Sequence, residues 1–347
     1  MDRFAWQSAR SVAEAAALGK CTVAEAMLAD ADKPPGTDCV VLKAGGIDLL
    51  DLMKEGLLRP NRVVNLREIP GLDTVTQDDA GTRIGALVTL EQLAAHATVR
   101  QRYTALADAA GGSGSPQIRH VATIGGNLLQ RPRCWYFRSA AHHCARKGGE
   151  HCFAFAGENQ YHAVFGHDGC AIVHPSTVAT ALAAFNARVE LVNAQGGTRI
   201  VPLAAFLVGP EVNVRRETDL RAGEVMTAVL LPPIAAGVRS VFLKQAERSA
   251  SDWSIADVAV VLERGADGRC QNVAIVLGAA APVPWRAQTA EAALTGKAID
   301  AAAAHTAAEA AISGAEPLRR NAYKLPILAA LVRRAVLAAA DVRETTP

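Results

Sequence analysis

No apolar run in these 347 residues reaches the roughly 18 that a membrane-spanning helix requires. Charge of one sign is equally scarce. Lys and Arg number 36 against 34 Asp and Glu, and a net charge of +2 gives no broad field for nucleic acid. The start, Met1-Asp2-Arg3-Phe4-Ala5-Trp6, has no basic stretch followed by an apolar one, so no secretory signal is expected there. The expected location is therefore the cytoplasm, or the periplasm by export of the folded chain beside a partner with a twin-arginine signal. Two nucleotide signatures are missing: the G-x-G-x-x-G of a Rossmann unit and the Walker lysine motif. The cysteines never form the C-x2-C knuckle typical of structural zinc.

What is present is ordinary globular material, half of it apolar and a fifth charged, long enough for two or three domains. Residues 3 to 30 carry helical apolar spacing (Val12, Ala15, Ala16, Leu18, Val23, Ala26, Met27, Leu28), and a Pro-rich break follows at 30–36. The strand Cys39–Leu42, the turn Lys43-Ala44-Gly45-Gly46, the helix Asp48–Glu55 and the strand Arg62–Leu66 then form one compact unit. Glycines in such a turn let backbone N–H groups close on an anion, and the start of the helix adds its positive end. A tight turn without a ligand explains the same residues.

A strand pair is expected at 71–87 around Asp78–Gly81, followed by helices at Leu90–His96 and about Arg100–Ala110. The turn-rich stretch Gly111–Pro116 leads through Gln117, Ile118 and Arg119 to a second glycine turn, Thr123-Ile124-Gly125-Gly126-Asn127. Two such turns, about 80 residues apart, fit opposite sides of one pyrophosphate or stand as unrelated loops.

From Arg131 to Cys170 periodicity disappears. Four of the 7 cysteines fall here, spaced C-x9-C-x7-C-x17-C at Cys134, Cys144, Cys152 and Cys170. Seven of the 9 histidines (His120, His142, His143, His151, His162, His167, His174) lie in or beside the segment. A stretch without its own apolar pattern needs a staple. A cubane iron–sulfur cluster held by the four thiolates suits the long spacings. Zinc with some of the histidines and metal-free buried cysteines are the other readings. Arg131, Arg133, Arg138, Arg146 and Lys147 would offset part of the negative charge of thiolates and cluster.

Beyond Cys170 the pattern is regular again: an amphipathic helix Thr177–Ala187 after Pro175-Ser176, a strand Arg188–Val192, a short element from Pro202, and a strand Glu224–Leu231. Pro232-Pro233 marks the expected domain boundary. Strand-like runs at Ser240–Gln245, Ile255–Leu262 and Val273–Leu277, then Ala-rich helices at about 285–295, 300–314 and 318–341, argue an α+β domain. Lys244 and Arg248 stand at the end of its first strand, as cofactor contacts or as solvated charges.

The two glycine turns, with Pro175-Ser176 leading a helix, resemble the FAD-binding subunit of the molybdenum hydroxylases, the xanthine dehydrogenase family with its carbon monoxide dehydrogenase and aldehyde oxidoreductase relatives. The resemblance covers nearly the whole chain. The insertion, with Arg133-Cys134-Trp135-Tyr136-Phe137 and Gly157-Glu158-Asn159-Gln160-Tyr161-His162-Ala163, is similar to the one that carries an extra 4Fe–4S cluster in the periplasmic aldehyde oxidoreductase type.

The resemblance implies an α+β chain: a two-subdomain FAD-binding fold of the vanillyl-alcohol-oxidase/PCMH type over 1–232 (about 1–65 and 66–232, with the cluster insertion at about 131–172), then an α+β domain over 233–347 with a three-stranded sheet and helices. It implies FAD held by Lys43, Ala44, Gly45, Gly46, Ile47, Asp48 and Leu49 on one side and Thr123, Gly125, Gly126 and Asn127 on the other. Gln117, Ile118 and Arg119 would lie near the flavin ring, Ser176 beside the cofactor, and Lys244 as a cation near N1/C2=O. The family often has Asp after Pro-Ser, where this chain has Thr177. Cys134, Cys144, Cys152 and Cys170 would be the cluster ligands.

The implied function is electron transfer in a heterotrimeric molybdenum enzyme. The implied partners are a molybdopterin-containing large subunit, a small subunit with two 2Fe–2S clusters, and an external electron acceptor. A self-contained FAD oxidase and a zinc-stapled binding module without redox chemistry are the rival functions.

Overall fold

The computed structural model describes residues 1–32, 39–248 and 251–342, the side chains of 28–32 excepted. The first sheet has strands β1 (Ala5–Ser8), β2 (Val40–Lys43) and β3 (Arg62–Asn65) in the order β1-β3-β2, all parallel. The helix Ile47–Lys54 joins β2 to β3, completing the expected strand–turn–helix–strand unit. Both faces of this sheet are covered, as a parallel sheet requires. Val41 and Val63 pack with Leu52 and Met53 on one side, and Val40 and Val64 with Ala15 and Ala16 on the other.

The start of the chain corrects the reading of 3–30 as helical throughout. Helices Val12–Leu18 and Val23–Asp32 form, but Ala5–Ser8 is an edge strand whose register runs from Ala5 opposite Arg62 to Ser8 opposite Asn65. Only a partner nearly 60 residues away defines that strand, so local periodicity carries no trace of it. The expected Pro-rich break lies mostly outside the described residues, and helix continues as far as Asp32.

The second sheet is antiparallel, with strands β4 (Val75–Asp78), β5 (Gly81–Gly85), β6 (Arg188–Asn193), β7 (Thr198–Pro202) and β8 (Glu224–Leu231) in the order β4-β5-β8-β6-β7. β7 was not expected, because it alternates only between exposed and half-buried residues. The single helix expected at 100–110 is two, Ala97–Arg102 and Thr104–Gly111, broken at Tyr103. Tyr103 leaves helical dihedrals and buries its ring edge-on against Phe185 while its hydroxyl donates to the carbonyl of Pro232 at 2.9 Å. The helix expected at 177–187 ends at Ala184 and is buried on almost every residue rather than amphipathic. It packs on the third sheet and shares one buried core with residues of the second.

The third sheet is antiparallel, in the order β12-β11-β10-β9: β9 (Arg239–Gln245), β10 (Ala256–Arg264), β11 (Cys270–Gly278) and the two-residue β12 (Trp285–Arg286). The three expected strands are there, with one short addition. Val258, Val260, Ile275 and Leu277 face the helices Gln288–Leu294, Ala301–Ile312 and Lys324–Ala339, while Ala259, Ala274 and Val276 join the core around the second sheet. Period-2 alternation therefore binds this sheet to both neighbours.

The insertion has no strand, only a four-residue helical turn Trp135–Arg138 and a 3-10 turn Ala145–Lys147. The C-terminal part holds it by hydrogen bonds. Asn321 Nδ2 donates to the carbonyls of His162 and Ala163, Lys324 Nζ to that of His162, and the Arg320 amide to Asn159 Oδ1. Among the described residues no helix is long and apolar enough to cross a membrane.

Candidate functional site

The two glycine turns meet. A Cβ on Gly45 would collide with the carbonyl oxygen of Val121, just before the second turn, so only glycine permits the approach. Gly46 has φ +84 and caps the helix Ile47–Lys54, whose first-turn N–H groups have no intrahelical acceptor. In the second turn Thr123 Oγ1 accepts from the Gly126 amide at 3.2 Å, and a Cβ on Gly125 would press on Ala86 at 3.0 Å.

Between the turns and the end of β9 lies a cleft of about 660 Å³, well within the size range of cofactor sites. Of the residues expected at the nucleotide, all but Gln117, Arg119 and Ser176 line it. Gln117 is exposed. Arg119 is engaged by Glu91 at 2.7 Å and by the carbonyl of Gly114 at 3.1 Å. Ser176 is buried behind the wall, capping the helix Thr177–Ala184 through the Ala179 amide and donating to Asn127 Oδ1 at 2.5 Å. Thr177 does reach the cleft, with its hydroxyl 2.7 Å from that of Ser113.

The two lysines are held differently. Lys244 Nζ donates to the carbonyls of Gly112 (3.0 Å) and Asp252 (2.5 Å), fixing an ammonium in the wall, and burial pulls its pKa down. Lys43 Nζ turns back to the carbonyl of Ala44 at 3.0 Å and lies 5.3 Å over the Trp6 ring. Its pKa is lowered by burial and by Arg67. Arg248 lies off the cleft, paired with Asp252 at 3.2 Å.

The ion pairs of the lining residues, and Glu217 itself, went unread in the sequence. Asp48 is the hub: its carboxylate accepts from the Arg131 amide (2.8 Å) and Arg138 (2.5 Å) and pairs with Arg133 at 2.9 Å. Arg133 also pairs with Asp51 and stacks over Trp253 at 4.7 Å. Among the described residues its buried Nε has no partner, nor has that of Arg216 in the same cleft. Glu217 is buried between Arg131 and Arg146, and although burial alone would raise its pKa, the two guanidiniums hold it low. Nothing local marks Glu217. It sits in an irregular stretch and its partners lie more than 70 residues away.

The four cysteines come together. Cys134, Cys144, Cys152 and Cys170 line one small cavity with Phe137, Arg146, His162 and Ile172. Burial pushes the Cys134 thiol up to about 11. The Cys170 thiol is pulled down by a hydrogen bond from Cys152 and by Arg146, whose Nε donates to Sγ at 3.4 Å, and Cys152 is correspondingly raised. His162 Nε2 lies 3.2 Å from Cys134 Sγ. Among the described residues no three His, Cys, Asp or Glu side chains are placed to hold a single metal ion.

The expectation that the basic residues would partly offset thiolate charge narrows to Arg146 and to Lys147, whose pKa burial lowers while Cys144 and Cys134 push it up. Arg131, Arg133 and Arg138 bind carboxylates, and Lys147 donates to the carbonyls of Tyr136 and Ser139. Only Arg146 of the five donates to a cysteine sulfur. The carboxylates Asp48, Asp51 and Glu217 lie outside the insertion, so nothing in the sequence pairs them with it.

The family described as "FAD binding domain in molybdopterin dehydrogenase" matches residues 2–234, and "CO dehydrogenase flavoprotein C-terminal domain" matches residues 241–339. The chain is 36% identical to the aldehyde oxidoreductase FAD-binding subunit PaoB of Escherichia coli K12 over 322 residues, covering 92% of this chain and 96% of that one. It is 29% identical to the carbon monoxide dehydrogenase medium chain of Hydrogenophaga pseudoflava, with 97% of each covered. Among solved structures, a carbon monoxide dehydrogenase of H. pseudoflava lacking the Mo-pyranopterin moiety superposes with a TM-score of 0.71 at 30% identity over 97% of both chains. Quinoline 2-oxidoreductase of Pseudomonas putida 86 gives 0.72 at 25% identity over 98% of both.

Proposed function

Since the chain belongs to the FAD-binding medium subunits of the molybdenum hydroxylase and carbon monoxide dehydrogenase family, we propose that its cleft holds FAD between the two glycine turns. The observation that carries this reading is the mutual approach of the turns at Gly45 and Val121, which no larger residue at 45 allows. The fit is chemical as well as spatial: first-turn amides of the helix Ile47–Lys54, Lys244, and the unpartnered Nε groups of Arg133 and Arg216 all suit an anionic dinucleotide. When bound, FAD supplies the electron-transfer chemistry of an oxidoreductase subunit.

The chain's own residues do the positioning. The glycine turns bring backbone close to the pyrophosphate. Asn127, held by Ser176, fixes the second turn, and Lys244 presents a cation to the flavin ring. The proposed partners are a molybdopterin-containing large subunit and a small subunit with two 2Fe–2S clusters, with electrons leaving to an external acceptor.

We further infer that Cys134, Cys144, Cys152 and Cys170 hold a 4Fe–4S cluster. Their convergence on one cavity and the cation of Arg146 at Cys170 support this reading. The domain division proposed is 1–232 and 233–347, with the insertion clamped between the two. Flavin and iron are to be quantified, with a visible spectrum, on complex purified anaerobically. One FAD and about four irons on this subunit support both assignments. Flavin with no iron beyond that of the small subunit's two 2Fe–2S clusters removes the cubane cluster, and absence of flavin overturns the proposal.

A further inference from the structure

The cleft and the cysteine cavity are joined by one buried carboxylate. Glu217 Oε2 accepts from Arg131 Nε at 3.0 Å, and its Oε1 accepts from Arg131 NH2 (3.0 Å) and Arg146 NH1 (2.6 Å). Arg131 and Glu217 line the cleft, while Arg146 lines the cysteine cavity and donates through Nε to Cys170 Sγ at 3.4 Å. Both arginines are almost fully buried, at 2% and 1% exposure. Arg131 touches both sites in two further ways. Its amide donates to Asp48 in the first turn of the glycine-capped helix, and its guanidinium lies 4.8 Å over Phe137, which lines the cysteine cavity.

Resting on the reading that FAD and a cluster occupy the two sites, we propose that Glu217 is a positioning residue that couples them, so that loading or reducing one changes the energetics of the other. Two buried guanidiniums share one carboxylate, and Arg146 divides its contacts between that carboxylate and the Cys170 sulfur. Arg146 NH2 is buried at the cysteine cavity with no partner among the described residues. An anionic group there draws on Arg146 and shifts the share of Glu217 left to Arg131, and Arg131 in turn orients the wall at Asp48. Such coupling needs a differential interaction with the two states of each site, and a shared carboxylate supplies one. It is reciprocal by thermodynamic necessity.

The test is a redox titration of the iron signal by electron paramagnetic resonance, on the intact complex, with FAD bound and after FAD is stripped by high salt. In the wild-type chain, removal of FAD is expected to shift the cluster midpoint potential. In Glu217→Gln the potential is expected to be the same with and without FAD. An unchanged potential in the wild type, or an undiminished shift in Glu217→Gln, overturns the coupling. Where Glu217→Gln does not fold, Arg131→Lys keeps the charge but loses the two-pronged contact, and a full wild-type shift there is equally fatal. Absence of any iron signal beyond those of the small subunit's 2Fe–2S clusters in the anaerobic wild-type complex instead overturns the cluster reading itself.

Discussion

Arg138 donates to Asp48 at 2.5 Å, and that contact fastens the cysteine-bearing insertion to the first turn of the glycine-capped helix. The pair is largely out of water, with side-chain exposures of 9% and 13%, and Arg133 completes it from the same insertion. The nucleotide wall and the cysteine segment are therefore parts of one charged cluster.

Asp48→Ala leaves Arg133 with Asp51, and Arg138 with the longer contacts to Asp51 and Glu55 and the carbonyls of Pro132 and Arg131. Removing one member of a mostly buried ion cluster costs about 3 kcal/mol. Chemical denaturation of the variant is expected to show a loss of that order, together with weaker flavin retention. Asp48→Asn, which keeps one acceptor oxygen, is expected to lose less.

Gly45→Ala places a methyl group against the Val121 carbonyl. Flavin binding is expected to weaken at least about tenfold, equivalent to roughly 1.4 kcal/mol, while the circular dichroism spectrum stays close to wild type. Fluorescence titration of the stripped protein measures the affinity.

Lys244→Met removes a cation held in the cleft wall by two carbonyls. Reduced flavin carries more negative charge than oxidised flavin, so its potential is expected to fall in the variant. Spectroelectrochemistry reads the shift, and Lys244→Arg is expected to restore much of it.

His174 is buried, and burial lowers its pKa from 6.5 to about 4. The folded state therefore favours the neutral ring, and the unfolded chain takes up a proton first as pH falls. The stability this residue contributes is complete above pH 6.5 and is lost between 6.5 and about 4, at roughly 1.4 kcal/mol per pH unit. His174→Asn is expected to flatten that part of the acid limb in urea denaturation across the same pH range.

Cys134→Ser removes one lining thiol of the cysteine cavity. The expected results are loss of the subunit's iron and faster proteolysis within 131–172, since that segment has little regular structure to fall back on. Retention of all the iron would exclude Cys134 as a ligand.

The parts of this structure that were legible in the sequence are those with local signatures. Gly45 and Gly46 between a valine-rich strand and a helix announce their turn, and Glu224–Leu231 reads as a strand because every neighbour agrees. Ala5–Ser8 and the break at Tyr103 were not legible, because β3 makes the one and Phe185 with Pro232 makes the other. In the site, the cysteines declared themselves by clustering, whereas the partners of the insertion's arginines did not. Asp48 looked like a phosphate-turn residue and Glu217 like any loop carboxylate until folding brought the guanidiniums to them.

The hydrogen bonds from Asn321 and Lys324 to His162 and Ala163 also order events in time. The four cysteines leave the ribosome long before residues 320–324 exist, yet the backbone beside their cavity is fixed by those later side chains. A half-made chain thus has the thiols without the completed clamp. Full ordering of this segment therefore belongs to the finished polypeptide.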